Sequence, residues 1–252
     1  MASEVRGSFP IIDVNYRISS VTPLFPSSTG PSLAGPAFAE VWAVDPEELR
    51  RGSAAGPGHR DVGLLPGVPR WQWVAVPPFN GAEVGAALAA ADSSGPRVVR
   101  LCPGYEGHRF PLTSWLLAPL PELCDAANVA VELDYGPAQP LPWDEVVELA
   151  RRHPSLAVVV LGRGMGELGV LRSCLDAAPN VIFEISAVGD PEWLSKAVAE
   201  VGAHRFVFGS GGDPSGVVDF LETAALAPGD VRMVASGVAG SLGSGSWAET
   251  WL

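Results

Sequence analysis

Short apolar runs recur along the chain and alternate with segments whose apolar residues have helical spacing. Runs of four to eight residues rich in Val, Ile and Phe are typical of strands, and apolar positions three or four apart are typical of helices. Strands are predicted at residues 11–18, 38–44, 70–76, 97–101, 129–135, 156–161, 181–185 and 206–208. Helices are predicted at 46–51, 81–92, within 112–127, and at 143–152, 167–178, 191–201, 217–226 and 230–240.

The clearest unit is a strand, a helix and a strand between residues 179 and 214. Asp190 followed by Pro191 predicts the start of its helix, and Gly202 predicts the end. Eight strands with mainly helical connections predict a closed (β/α)8 TIM barrel, with residues 1–252 as one domain and a tail from about 236. A doubly wound open sheet is the alternative, but no Gly-rich dinucleotide fingerprint follows any strand, and residues 162–166 lack the later acidic partner.

Composition narrows the class of protein. The 252 residues are 47% hydrophobic and 17% charged, which indicates a soluble globular protein with a large core. The net charge of -12 argues against nucleic acid and anionic membranes as partners. Three cysteines without metal-ligand spacing, no signal-peptide pattern and no membrane-length apolar run favour a cytoplasmic location.

Polar side chains at strand ends are the candidate chemistry, because ligands bind at the carboxyl-terminal rim of such barrels. Asp13, Asn15 and Arg17 alternate with apolar residues in the first strand, and Glu132 and Asp134 share one face of the fifth. Further candidates for binding a ligand are Arg100, Tyr105, His108, Glu184, Ser186 and Asp213. His59, His153 and His204 are expected at the surface.

Four segments resemble motifs of the amidohydrolase-related barrels, also called amidohydrolase family 2. Residues 11–17 resemble the first-strand motif Ile-Asp-x-His-x-His, and 131–134 resemble the fifth-strand segment that ends in His. Residues 159–164 resemble the strand that ends Gly-His-x-Gly. Residues 180–186 and 206–211 are similar to Asn-Val-Tyr-Phe-Asp-x-Ser and Phe-Gly-Ser-Asp. The resemblance implies a TIM barrel that hydrolyses C–N or C–O bonds, or decarboxylates, with a divalent metal held by histidines and an aspartate.

The sequence departs from the family at each metal-ligand position. Those positions hold Asn15, Arg17, Asp134, Arg163 and Gly211. A guanidinium has no lone pair to offer a metal, and two arginines with one carboxylate give this cluster a charge of about +1. We therefore expect no metal and no cofactor here. A displaced metal site that uses Asp213 or His108 stays open.

Three functional interpretations follow from this replacement. In the first, Arg17, Asp134 and Arg163 form a buried ion-pair cluster in a pseudoenzyme that has lost its metal. In the second, the arginines bind a small anionic ligand such as a carboxylate. In the third, a metal-independent hydrolase or decarboxylase uses Asp134 as general base, with Arg17 and Arg163 on the oxyanion or substrate carboxylate. The nearby guanidinium groups would weaken that base.

Two tail tryptophans bear on the assembly state. Trp247 and Trp251 follow a Gly/Ser-rich stretch. They would either dock on a second subunit, which indicates a homodimer, or fold back onto the barrel.

Overall fold

A computed structural model describes most of the chain from residue 98 onward and parts of the chain before it. The described residues are 11–17, 38–44, 72–75, 81–89, 98–104, 109–135, 139–163, 167–211, 214–244 and 247. The predicted helix at 46–51 lies outside them. Side chains of the first three strands also lie outside the description, although their backbone is included.

Eight strands form two parallel sheets among these residues. They are β1 (Ile11–Arg17), β2 (Phe38–Val44), β3 (Gln72–Ala75), β4 (Val98–Leu101), β5 (Ala130–Leu133), β6 (Val158–Val160), β7 (Val181–Glu184) and β8 (Phe206–Val207). β1 pairs with β2, and β3 to β8 form a six-stranded sheet in sequential order. All eight predicted strands are therefore confirmed, with ends that differ by up to two residues.

A helix follows each strand of the larger sheet. The helices are α1 (Gly81–Ala89), α2 (Pro119–Ala126), α3 (Trp143–Arg152), α4 (Leu168–Ala177), α5 (Pro191–Val201) and α6 (Pro214–Thr223). The described chain then continues through α7 (Pro228–Arg232), a π-helical turn (Met233–Gly237) and α8 (Val238–Ser244). No helix among the described residues is long and apolar enough to cross a membrane.

The two faces of the larger sheet have different coverings. Alternate strand residues such as Val99, Val131 and Phe183 pack in one cluster with residues from all six helices α1 to α6. The intervening residues, such as Val98 and Ile182, pack in a second cluster with the C-terminal segment. A sequential parallel sheet with α1 to α6 on one face is singly wound, so the doubly wound alternative is wrong.

Local signals explain the α4–β8 region. The Asp190 side chain accepts hydrogen bonds from the backbone N–H groups of Glu192 and Trp193 at 3.0 and 3.1 Å, and Gly202 ends α5 with a φ of 90°. Both helix-end predictions are confirmed. Directly before β8, the buried Arg205 side chain donates hydrogen bonds to three backbone carbonyls between 2.7 and 3.1 Å away. Burial lowers its pKa to about 10.

The last part of the C-terminal segment, residues 238–244 and Trp247, packs on the face of the larger sheet opposite α1 to α6, which we call the inner face, and the second cluster is called the inner cluster. Phe208 donates its backbone N–H to the Val234 carbonyl at 2.9 Å, and the π-helical turn and α8 also contact β1. Trp247 is 2% exposed and packs with Val238 and Leu242 in the inner cluster. Trp247 therefore folds back, as one of the two alternatives predicted, while Trp251 lies outside the described residues. That residues 1–252 form one domain stays a prediction.

Candidate functional site

Charged side chains occupy the inner face of the sheet at the carboxyl ends of β4 to β7. Side chains alternate between the two faces of a strand, so Arg100, Glu132 and Glu184 lie on the same face as the apolar inner cluster. Asp134 and Arg163 follow β5 and β6 at positions that belong to the same face. Each of the five residues is at most 3% exposed. This rim is where a parallel barrel binds its ligands.

A buried ion-pair cluster joins β4 to β5. The register sets Arg100 opposite Glu132, and the Arg100 Nε lies 2.9 Å from the Glu132 Oε2. The Arg100 Nη1 also lies 3.7 Å from the Asp134 Oδ2. Burial alone would lower the pKa of Arg100, but the carboxylates of Glu132 and Asp134 outweigh it and hold this pKa above its ordinary value. The Arg100 guanidinium thus faces the carboxylates of Glu132 and Asp134.

Arg163 is held by the loop after β5 and the start of α4. Its Nη1 donates to the Gln139 carbonyl at 2.6 Å and lies 3.4 Å from the Glu167 carboxylate. Its guanidinium carbon lies 5.8 Å from the centre of the Tyr135 ring. Burial and nearby Glu145 raise the pKa of Tyr135 above its ordinary value, against the influence of Arg163, so its hydroxyl stays protonated and can donate a hydrogen bond.

Glu184 connects the ends of β6 and β7. Its carboxylate accepts hydrogen bonds from the Gly162 N–H at 2.8 Å, from the Ser186 hydroxyl at 2.9 Å and from the Ser186 N–H. A Cβ at Gly209 would lie 2.6 Å from the Glu184 Cδ, so glycine at the end of β8 leaves room for this carboxylate. Glu184 and Ser186 therefore contact each other at the rim, and the described hydrogen bonds of the Glu184 carboxylate are with Gly162 and Ser186.

The structure adds partners to the predicted site residues. The sequence-based hypothesis grouped Asp134 with Arg17 and Arg163, and the described ion pairs join Asp134 to Arg100 and Arg163 to Glu167. The ligand-binding role expected for Arg100 stays a prediction, and its guanidinium is buried against Glu132. The side chains of Asp13, Asn15 and Arg17, and the whole of Tyr105, His108 and Asp213, lie outside the described residues.

A small cavity opens at the rim beside Arg163. Its volume is about 310 Å³, and its lining is Pro103, Gly104, Arg109, Phe110, Pro111, Tyr135, Gln139 and Pro140. Gly104 permits the walls to close, because a Cβ there would lie 2.9 Å from the Tyr135 carbonyl oxygen. The described lining includes the exposed Arg109, whose guanidinium can bind an anionic group.

Sequence reasoning missed three of these residues. The sequence predicts Glu132 on the same face as Asp134 but does not predict it as a site residue. Its contact with Arg100 follows from the pairing of β4 with β5. Arg109 belongs to the same polar loop as the predicted Tyr105 and His108, which was the available signal. Gln139 had no signal in the sequence, because it contributes a backbone carbonyl to Arg163.

The described donors do not suit a divalent cation. Among the residues that the structure describes, no three His, Cys, Asp or Glu side chains are arranged to hold a metal ion. At the family's metal-ligand positions the described side chains are Asp134, which faces a guanidinium, and Arg163, which has no lone pair. A displaced site with Asp213 or His108 stays untested.

No protein-family model matches the sequence, and no curated protein matches it. Solved structures do match. One is a putative 2-pyrone-4,6-dicarboxylic acid hydrolase from Pseudomonas putida, at 19% identity, with 94% of this chain and 98% of that chain covered and a TM-score of 0.61. Another is an uncharacterized TIM-barrel protein from Bordetella bronchiseptica, at 17% identity, with 70% and 67% covered and a TM-score of 0.58.

A third match is a dihydroxybenzoic acid decarboxylase from Polaromonas sp. JS666 with bound manganese and an inhibitor, at 14% identity, with 68% of each chain covered and a TM-score of 0.51. At these identities the likeness concerns the fold. The predicted resemblance to amidohydrolase-related TIM barrels is confirmed at that level.

Proposed function

We propose that this chain is an amidohydrolase-like barrel that binds a small ring-shaped carboxylate in the rim cavity between the loops after β4 and β5. The observation that carries the proposal is the chemistry of the cavity lining. Arg109 offers a charged fork for a carboxylate, and Phe110 and Tyr135 offer ring faces. The volume of about 310 Å³ is at the small end of ligand sites, which suits a single substituted ring.

The wall of the cavity gives further support. Tyr135 and Gln139 line the cavity and also contact the buried Arg163 guanidinium. Arg163, which also lies 3.4 Å from the Glu167 carboxylate, thus holds this wall in place through both residues. The protonated Tyr135 hydroxyl is a donor that an anionic ligand can use.

The fold neighbours agree with this ligand class. The hydrolase from Pseudomonas putida is named for a dicarboxylic acid, and the decarboxylase from Polaromonas for a dihydroxybenzoic acid. Both names describe small rings that carry carboxylates. We extend the class of ligand, and not the reaction, to this chain.

In this proposal the cluster of Arg100, Glu132 and Asp134, called the inner charge cluster, has a structural role. Each described charge faces an opposite charge within the protein, and the cluster joins two adjacent strands. The alternative is a metal-independent hydrolase or decarboxylase with Asp134 as base. Asp134 is 1% exposed and its Oδ2 lies 3.7 Å from the Arg100 Nη1, which supports the structural role instead.

Isothermal titration calorimetry with isophthalate, benzoate and the neutral isophthalamide tests the proposal. The two carboxylates are expected to bind and the diamide not to bind. Arg109→Gln should weaken isophthalate binding by about 10- to 100-fold, because a hydrogen bond to a charged group contributes about 1.5–3 kcal/mol. Arg232→Gln is the matched control, since Arg232 is an exposed arginine on α7 outside the cavity lining.

Two results would contradict the proposal. One is that neither carboxylate binds the wild-type chain, and the other is that Arg109→Gln and Arg232→Gln bind isophthalate as the wild type does. Turnover of a carboxylated ring that Asp134→Asn abolishes would instead favour the enzyme.

A further inference from the structure

An exposed helix, α3, lies between two grooves on the outer surface. One groove, of about 530 Å³, runs between α3 and α4 over Trp143, Val147 and Cys174. The other, of about 460 Å³, lies on the opposite side of α3 and includes Trp115 and Leu149. Arg152 lines both grooves. We call this surface, α3 with its two flanking grooves, the α3 face.

Exposed apolar side chains border this helix on both sides. Trp115 is 84% exposed and Val170 is 48% exposed, and they are the large hydrophobic side chains recorded as exposed among the described residues. Each lies in one of the two grooves. The exposed Trp115 ring offers apolar area that a second molecule can cover.

The charges along α3 determine which molecule fits. The exposed Asp144 lies in its first turn and the exposed Arg151 in its last turn, while Glu148 and Arg152 form an ion pair with each other within the helix. The helix dipole accounts for acids at the start and bases at the end, but not for the apolar flanks. A helix with opposite charges at its two ends is complementary to an antiparallel copy of itself.

We propose that the α3 face is the interface of a homodimer in which the α3 helices of two copies lie antiparallel about a two-fold axis. Such an interface is isologous, so Asp144 of each copy meets Arg151 of the other and the contact occurs twice. The α3 helix is ten residues long, or about 15 Å. Trp115 and Val170 extend the apolar area on either side of it. The two residues of each charge pair are seven positions apart within one chain, about 10 Å, so their contact is intermolecular.

Charge reversal tests this arrangement in the full-length chain. Sedimentation velocity over a hundredfold range of concentration should show a monomer–dimer equilibrium for the wild type. Asp144→Arg alone and Arg151→Glu alone should each raise the dissociation constant by about tenfold or more, because like charges then meet twice. The double variant Asp144→Arg/Arg151→Glu should return it to within a few-fold of the wild-type value.

Lys196→Glu is the matched control, because Lys196 is an exposed base on α5, away from the α3 face. Trp115→Ser should also weaken the dimer, whereas Lys196→Glu should leave it unchanged. Circular dichroism of each variant confirms that it is folded. A wild-type monomer at every concentration would overturn the proposal. So would a dimer that the single reversals leave intact, or single-variant losses that the double variant does not recover.

Discussion

Replacing Arg100 with methionine is the sharpest test of the inner charge cluster. Methionine keeps most of the volume and removes the guanidinium that faces Glu132 at 2.9 Å and Asp134 at 3.7 Å. The side chains of Arg100 and Glu132 are 0% exposed, so water does not replace the lost partner. The variant therefore leaves two buried carboxylates without their described cation.

The expected cost is large compared with the stability of a domain. Removal of one partner from a buried ion pair costs about 3–5 kcal/mol, because the remaining charge is left uncompensated. The total free energy of unfolding is typically about 5–15 kcal/mol. We therefore expect Arg100→Met to lower the free energy of unfolding by about 3–5 kcal/mol at pH 7 in urea denaturation followed by circular dichroism.

Two controls separate this mechanism from a general effect of losing an arginine. Arg172→Met removes a solvent-accessible arginine that pairs with Asp176 and Glu200, and surface pairs of this kind contribute about 1 kcal/mol or less each. Arg100→Met/Glu132→Leu removes both members of the closer pair and leaves Asp134 as the remaining described carboxylate of the cluster, so it should recover part of the loss.

The reasoning fails if Arg100→Met and Arg172→Met cost the same. It also fails if the double variant loses the sum of the two single losses, because the two side chains would then contribute independently.

Three further predictions concern the scaffold around the site. Asn180→Asp should lower the free energy of unfolding by about 2–4 kcal/mol and by more than Asn180→Ala does, measured by urea titration, because the Asn180 amide donates to three backbone carbonyls between 2.8 and 2.9 Å away. Equal losses would contradict it. Burial, with Arg205, lowers the pKa of His204 below its ordinary 6.5, so the unfolded chain binds more protons as the pH falls through about 6.5. Wild-type stability should therefore fall there, and His204→Gln should flatten that part of the stability–pH curve; an unchanged slope would refute this role. Gly209→Ala should cost about 1–3 kcal/mol through its contact with Glu184, while Gly229→Ala, with no atom within 4 Å of its added Cβ, should not destabilise the fold.

Local patterns account for most of the correct fold predictions. Strand and helix positions follow from the spacing of apolar residues, which depends on each segment alone. The Asp190 and Gly202 helix ends were readable because a capping side chain and a positive φ are properties of a few consecutive residues. The alternation of side chains along β5 likewise predicts that Glu132 and Asp134 lie on one face, and both contact Arg100.

The sequence by itself determined the strand–helix alternation, the face of each strand residue and the gathering of charged side chains at one rim. Only the tertiary structure decided which charges meet, because this depends on the register between strands and on loops far apart in the chain. The register between β4 and β5 brings Glu132 and Asp134 next to Arg100. The loop after β5 brings the Gln139 carbonyl within hydrogen-bond distance of Arg163. The folding back of Trp247 onto the inner face was decided in the same way, since burial depends on the surface that the other strands present.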